Sequence, residues 1–157
     1  MNKVLSMFLV AAVLALGVGS AALAADSIDG TWKLNVAKSK FTPGPAPKSQ
    51  TRTYTETADG TSLTFTGVAA DGSPVSGQST FKYDGKDYPI TGSPDFDTLS
   101  LKRLNGSTVR STLKKGGKTL GTTVRTLSGH GKVLTLSSKG KDAKGAAFDN
   151  VAVYDKQ

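Results

Sequence analysis

The chain has 157 residues, no cysteine, one histidine and one tryptophan, and its 20 Lys plus Arg outweigh 12 Asp plus Glu for a formal net charge of +8. That is one domain's length. Without cysteine there is no disulfide, no thiol nucleophile and no lipid attached through a thiol, and His130 and Glu56, each the only one of its type, leave few donors for a metal centre or imidazole catalysis.

Met1-Asn2-Lys3 is a short basic start, residues 4–25 carry no charge, and Ala22-Leu23-Ala24 puts small residues where a signal peptidase reads. Residues 1–24 are read as a signal peptide cleaved after Ala24 or Ala25, leaving 25–157 as the mature domain. The segment is long enough to span a bilayer. However, Gly17, Gly19, Ser20 and alanines thin its second half and no basic cluster follows, so no transmembrane segment is expected in the mature chain. Cleavage removes a single charge, Lys3, and the basic product is expected in the periplasm or secreted.

The first strand spans about 31–36, with Trp32, Leu34 and Val36 alternating onto one face. Residues 37–49 hold Pro43, Gly44, Pro45 and Pro47, so they are expected to cross over the barrel as an extended loop pinned by Phe41. Turn signals then recur at Asp59-Gly60, Asp71-Gly72, Asp84-Gly85, Asn105-Gly106, Gly116-Gly117 and Gly129-His130-Gly131. They delimit strands at about 50–58, 62–69, 75–83, 86–90, 98–103, 107–115, 118–128, 132–139 and 147–155. The expected fold is all-β: a single antiparallel meander closed into a barrel of about eight to ten strands, with no helix and no second domain.

Several strands alternate with the period of a half-buried sheet. Leu63 and Phe65, then Val75, Phe81 and Tyr83, then Leu99 and Leu101, then Val109 and Leu113, each share a face opposite polar neighbours. The 50–58 strand is different, since Thr51, Thr53, Thr55 and Thr57 oppose Arg52, Tyr54 and Glu56 and neither face is aliphatic. Ser79, Ser111, Thr122 and Thr126 fall in register with the inward residues of their strands. Hydroxyls there could line a water- or ligand-filled interior. They could equally reflect strand propensity alone.

Gly30-Thr31-Trp32 resembles the Gly-x-Trp signature of the first lipocalin strand, and with Lys33-Leu34 it is similar to the opening of the fatty-acid-binding barrels. The hairpin from Gly131-Lys132-Val133-Leu134 to Val153-Tyr154-Asp155-Lys156 is similar to the last hairpin of those proteins. The chain thus resembles the calycin superfamily, most of all the small secreted lipocalin-like proteins of bacteria. The resemblance implies a barrel around a small, mostly apolar or amphipathic ligand. Departures from it are specific. Tyr154 matches the tyrosine of the family's carboxylate-holding Arg-x-Tyr, but Ala152 stands at the arginine position; the helical lid is replaced by the Pro-rich 37–49 segment; and for the arginine that packs on the signature tryptophan the nearest candidate is Arg125.

His130 between two glycines reads as a turn residue and not a catalytic base, and Asp95 with Asp97, near Asp87, reads as turn capping after Pro94 and not a calcium or acid–base pair. No catalytic residue, metal or cofactor is expected. Trp32, Phe65, Phe81, Tyr83, Tyr88 and Tyr154 are the candidate lining residues, with Tyr83, Tyr88 and Phe96 near a ligand mouth. Lys102, Arg110, Lys114 and Arg125 would form a basic outer face, offering a second class of partner, anionic polymers of the cell envelope. The same charges also serve as a solubilising surface that guards strand edges. Nucleic acid is not expected, because no aromatic platforms lie between the charges.

Overall fold

The computed structural model describes residues 27–157; the expected signal peptide lies outside the described residues. Ten strands follow one another: β1 (Gly30–Leu34), β2 (Ser49–Thr57), β3 (Gly60–Val68), β4 (Pro74–Phe81), β5 (Asp84–Pro89), β6 (Thr98–Arg103), β7 (Thr108–Lys115), β8 (Lys118–Ser128), β9 (Val133–Lys141) and β10 (Ala147–Lys156). Each expected strand is present, with ends shifted by a few residues. Pairing is antiparallel throughout, in the order β4-β3-β2-β1-β10-β9-β8-β7-β6-β5, and only the contact of β4 with β5 is thin. There Ser79 bridges Ile90, the Thr91 N–H donates to Gln78 O (2.9 Å) and the Ser79 hydroxyl to Pro89 O (2.8 Å). The result is a nearly closed barrel with one seam.

The turn chemistry explains the meander. Gly116 and Gly117 join β7 to β8 with φ of 54° and 79°, both left-handed, which is the two-residue hairpin that matches strand twist. At the seam, Gly77 on β4 lies under the crossing backbone: a Cβ there would sit 2.1 Å from Thr91 O and 2.4 Å from the Phe65 ring. Only a residue without a side chain lets the segment after β5 close onto β4.

One end of the barrel is plugged. Ile28, Trp32, Val109, Leu127 and Leu134 are buried there, and the Trp32 indole N–H donates to Ile28 O (2.9 Å). The expected path of the Pro-rich segment is corrected. After a short 3₁₀ turn at Val36–Lys38, Lys40 bridges Val151 and Thr42 O accepts the Asp149 N–H (2.8 Å), so the segment lies along β10 and not over the barrel. The reason is strand length: β10 has 10 residues against 5 in β1, and the unpaired edge of β10 needs a partner. Phe41 does pack against the core.

The pairing settles β2, whose inward face the sequence left open, and reverses the sense expected for β8. On β2, Arg52 pairs with Trp32 and Phe65, and Tyr54 with Leu63, so Arg52 and Tyr54 face inward and the threonines outward. On β8, Arg125 pairs with Val109 and Leu136 and Thr123 with Ser111 and Ser138, so Thr123, Arg125 and Leu127 face inward and Thr122 and Thr126 outward. The cause on β8 is a bulge. Lys114 pairs with Thr119 but Leu113 with Gly121, which leaves Leu120 as the extra residue and slips the rest of the strand by one.

Candidate functional site

The barrel encloses a cavity of about 240 Å³. Its body is apolar, walled by Leu63, Phe65, Phe81, Leu99, Leu101 and Leu113. Its volume lies just below the range of about 300–1,000 Å³ usual for ligand pockets. At the plugged end a void of only about 10 Å³ remains between Ile28 and Arg125. At the other end Ser93 and Phe96, from the β5–β6 connection, border the cavity, and Phe96 meets Phe148 edge-to-face with centroids 6.0 Å apart.

Two arginines face this apolar space. Arg125, 6% exposed, donates from Nη2 to the Tyr83 hydroxyl (2.8 Å) and lies 5.5 Å from the Tyr54 ring and 5.3 Å from that of Tyr83. Arg52 donates from Nε to the Tyr54 hydroxyl (3.2 Å) and from Nη1 to Gln50 Oε1 (3.3 Å), with its guanidinium over the Phe65 and Tyr154 rings. The Tyr154 hydroxyl donates to the same Gln50 oxygen. Among the described residues neither arginine has a carboxylate within ion-pair distance; the three ion pairs are Lys38–Asp155, Lys114–Asp87 and Lys139–Asp149. Burial opposes the charge on Arg52, but the hydroxyls of Tyr54 and Tyr154 outweigh it and hold its proton more tightly than usual. Burial also raises the Tyr154 phenol against the pull of Arg52, so it stays neutral.

No fully buried side-chain nitrogen or oxygen among the described residues lacks a partner, so the remaining N–H groups of Arg52 and Arg125 border open space, and both residues line the cavity. Arg125 also borders the small void at the plugged end, which Glu56 shares without an ion pair to it. This arrangement can receive an anion.

The expected lining residues divide. Phe65 and Phe81 line the cavity. Trp32 belongs to the plug, 0% exposed, with Lys156 Nζ 5.2 Å from its ring, so the cation on the tryptophan is Lys156 and not Arg125. Tyr83 and Tyr154 act behind the wall by hydrogen bonding and stacking on the arginines, and Tyr88 on β5 donates to Asp84 (2.9 Å) away from the cavity. Of the expected basic face, Lys102 and Arg110 pair across β6 and β7 and are exposed, but Lys114 is bound to Asp87 (2.7 Å) and Arg125 is inside the barrel. Of the hydroxyls expected to face inward, Ser111 lines the cavity, while Arg52, Thr123 and Ser138 were not among the expected site residues.

The acidic candidates tether loops. Asp95 accepts the Ala143 N–H (3.2 Å) and Asp97 those of Gly116 (2.9 Å) and the Thr98 hydroxyl (2.9 Å), while Ser93 caps the turn after Pro94. His130 stands exposed at a tip with φ 55°. Among the described residues no three His, Cys, Asp or Glu side chains are grouped to hold a metal.

The fold is all-β, a single antiparallel meander of ten strands in a nearly closed barrel. Its ten-stranded meander, begun by Gly30-Thr31-Trp32 on β1 and closed by β10 pairing back onto β1, is what the terminal motifs imply. No family model and no curated protein matches the chain. Among solved structures it is similar to zebrafish ileal bile acid-binding protein complexed with cholic acid, at 14% identity and a TM-score of 0.48, covering 83% of this chain and 100% of that one.

Proposed function

We propose that this protein is an exported, non-enzymatic carrier of a small amphipathic anion, with the apolar body in the barrel and the acidic group on Arg52 and Arg125. The observation that carries the reading is the pair of interior guanidinium groups without a carboxylate partner. Holding such charge in an apolar chamber costs folding energy unless something negative is recruited to it. The alternative, envelope polymers on a basic outer face, is weakened by the withdrawal of Arg125 and the pairing of Lys114, which leave Lys102 and Arg110.

The test is calorimetric titration of the mature protein with octanoate and with octanol, the same chain without the charge. Octanoate is expected to bind at least about tenfold more tightly, the least a charged hydrogen bond contributes. Equal affinities would remove the anion, and no binding of either would remove the carrier. Native mass spectrometry of protein purified from its own export route, before and after denaturation, would identify a resident ligand directly.

A further inference from the structure

The polar groups on the wall formed by β7, β8 and β9 are not scattered. Ser111 pairs with Thr123 and Thr123 with Ser138, so the three side chains stand side by side on one inner row across three strands. All three line the cavity. The neighbouring rows are different: Val109, Arg125 and Leu136 toward the plug, Leu113, Gly121 and Gly140 toward the mouth. The hydroxyl row is thus a polar band across an otherwise apolar wall, about 7 Å along the strand from the Arg125 backbone at the usual rise per residue.

The hydrogen bonds of this row are incomplete in a particular way. Thr123 Oγ1 and Ser138 Oγ lie 2.8 Å apart, and whichever donates, the other keeps an O–H to give. Ser111 is 8% exposed and its hydroxyl has no partner among the described residues. Because no fully buried side-chain oxygen there is unpartnered, that hydroxyl points into the cavity it lines. Two O–H donors therefore face the space a ligand would fill. A plain alkyl chain laid against them would strip their water and return nothing.

We infer that Ser111, Thr123 and Ser138 form a second polar subsite, and that the ligand is a carboxylate bearing a hydroxyl or keto group part-way along its apolar body. The inference rests on the carrier reading and narrows its ligand class. A group with an oxygen acceptor at that depth takes both free O–H donors, and a hydroxyl there can also donate back to Ser111. Discrimination of this kind is strong, because the penalty falls on the ligand that lacks the group.

The test compares octanoate with its monohydroxylated and monoketo isomers on the wild-type mature protein and on Ser111→Ala, Thr123→Val and Ser138→Ala. At least one isomer is expected to bind the wild type about tenfold or more tightly than octanoate. In Ser111→Ala and Thr123→Val that ratio should fall toward one, with far-UV circular dichroism and the melting temperature confirming the fold. Thr123→Val keeps the side-chain shape, so it serves even if an alanine variant is impaired. Octanoate binding with no isomer preferred would overturn this inference and leave the carrier standing. Binding of none of the series would overturn both.

Discussion

Replacing Arg125 with methionine should separate what this side chain does for folding from what it does for binding, because the two effects have opposite sign. Taking a guanidinium out of water costs several kcal/mol even after relaxation. In the empty barrel the compensation is incomplete: about 1.5–3 kcal/mol from the charged hydrogen bond to Tyr83 and about 1–2 kcal/mol from its two ring contacts. Glu56 borders the same small void, but its carboxylate takes the Ser27 hydroxyl (3.0 Å) and is not within ion-pair distance of Arg125. Methionine fills much of the volume without the charge, and Tyr83 keeps the Thr61 hydroxyl (3.3 Å). The ligand-free Arg125→Met protein should therefore be more stable by about 1–2 kcal/mol, a rise in Tm of about 3–10 °C for a domain of this size.

Binding should move the other way. With Arg52 alone facing the acid, octanoate should lose about 2–3 kcal/mol, or about 30- to 150-fold in Kd. Thermal melts with and without octanoate read both effects: the variant should melt higher when empty and gain less from ligand. A variant that melts lower when empty and binds octanoate as before would refute the reasoning. Arg125 would then be a brace between Tyr54 and Tyr83, and its lack of a carboxylate would carry no functional meaning.

Three further outcomes can be measured separately. Gly77→Ala forces a Cβ against backbone and ring atoms that cannot give, so it should open the β4–β5 seam and lower stability by about 1–3 kcal/mol by urea titration; wild-type stability would show the seam to be compliant. Trp32 is buried in the plug and does not line the cavity, so its fluorescence should be blue-shifted and should keep its wavelength when octanoate binds; a ligand-dependent shift would put the cavity against the indole. Asp97, held low chiefly by the Gly116 N–H and then the Thr98 hydroxyl, and Asp155, held low by Asn35 and then Lys38, have folded values below their unfolded ones. Their contribution is present above about pH 4 and lost as the pH falls below it, so the urea midpoint should hold from pH 8 to about 5 and then drop, less steeply in Asp155→Asn. A decline that begins near pH 6 would implicate another group.

The strand count was legible because most hairpins carry their own turn residues, from Asp59-Gly60 to Gly129-His130-Gly131; the exception is Asp84-Gly85, which opens β5 and pairs toward β6, the β4–β5 connection being residues 82–83. Inward faces were legible where leucine, valine and phenylalanine marked them, on β3, β6 and β7. They were not legible on β2, where threonines on one side and Arg52, Tyr54 and Glu56 on the other give hydropathy nothing to choose between. The missing signal lay in the partner strand: the short turn pairs Thr57 with Gly60, and counting back sets Tyr54 opposite Leu63 and Arg52 opposite Phe65, both already known to face in. The route of the 37–49 segment had no such marker, because what draws it aside is the unpaired edge of β10, more than 100 residues later.

The charged interior depends on Leu120 more than on any residue that touches the cavity. If β8 followed β7 from the Gly116-Gly117 turn without interruption, Val109 would face Val124 and Ser111 would face Thr122, giving an uncharged chamber with Arg125 outside. With Leu120 looped out, the same strand turns Arg125 and Thr123 inward and Val124 outward. From the other side, β9 is compatible only with the second arrangement, since Ser128 pairs with Val133 and so sets Leu134 and Leu136 beside Leu127 and Arg125. Hydropathy alone would favour Val124 over Arg125 against those leucines. The same slip also turns Leu127 inward against Leu134, so packing of these leucines draws β8 into the bulged register and carries Arg125 inside with it. On the proposed reading, a ligand anion between Arg52 and Arg125 would offset the cost of burying that charge, because a ligand that binds only the folded barrel stabilises it in proportion to its affinity.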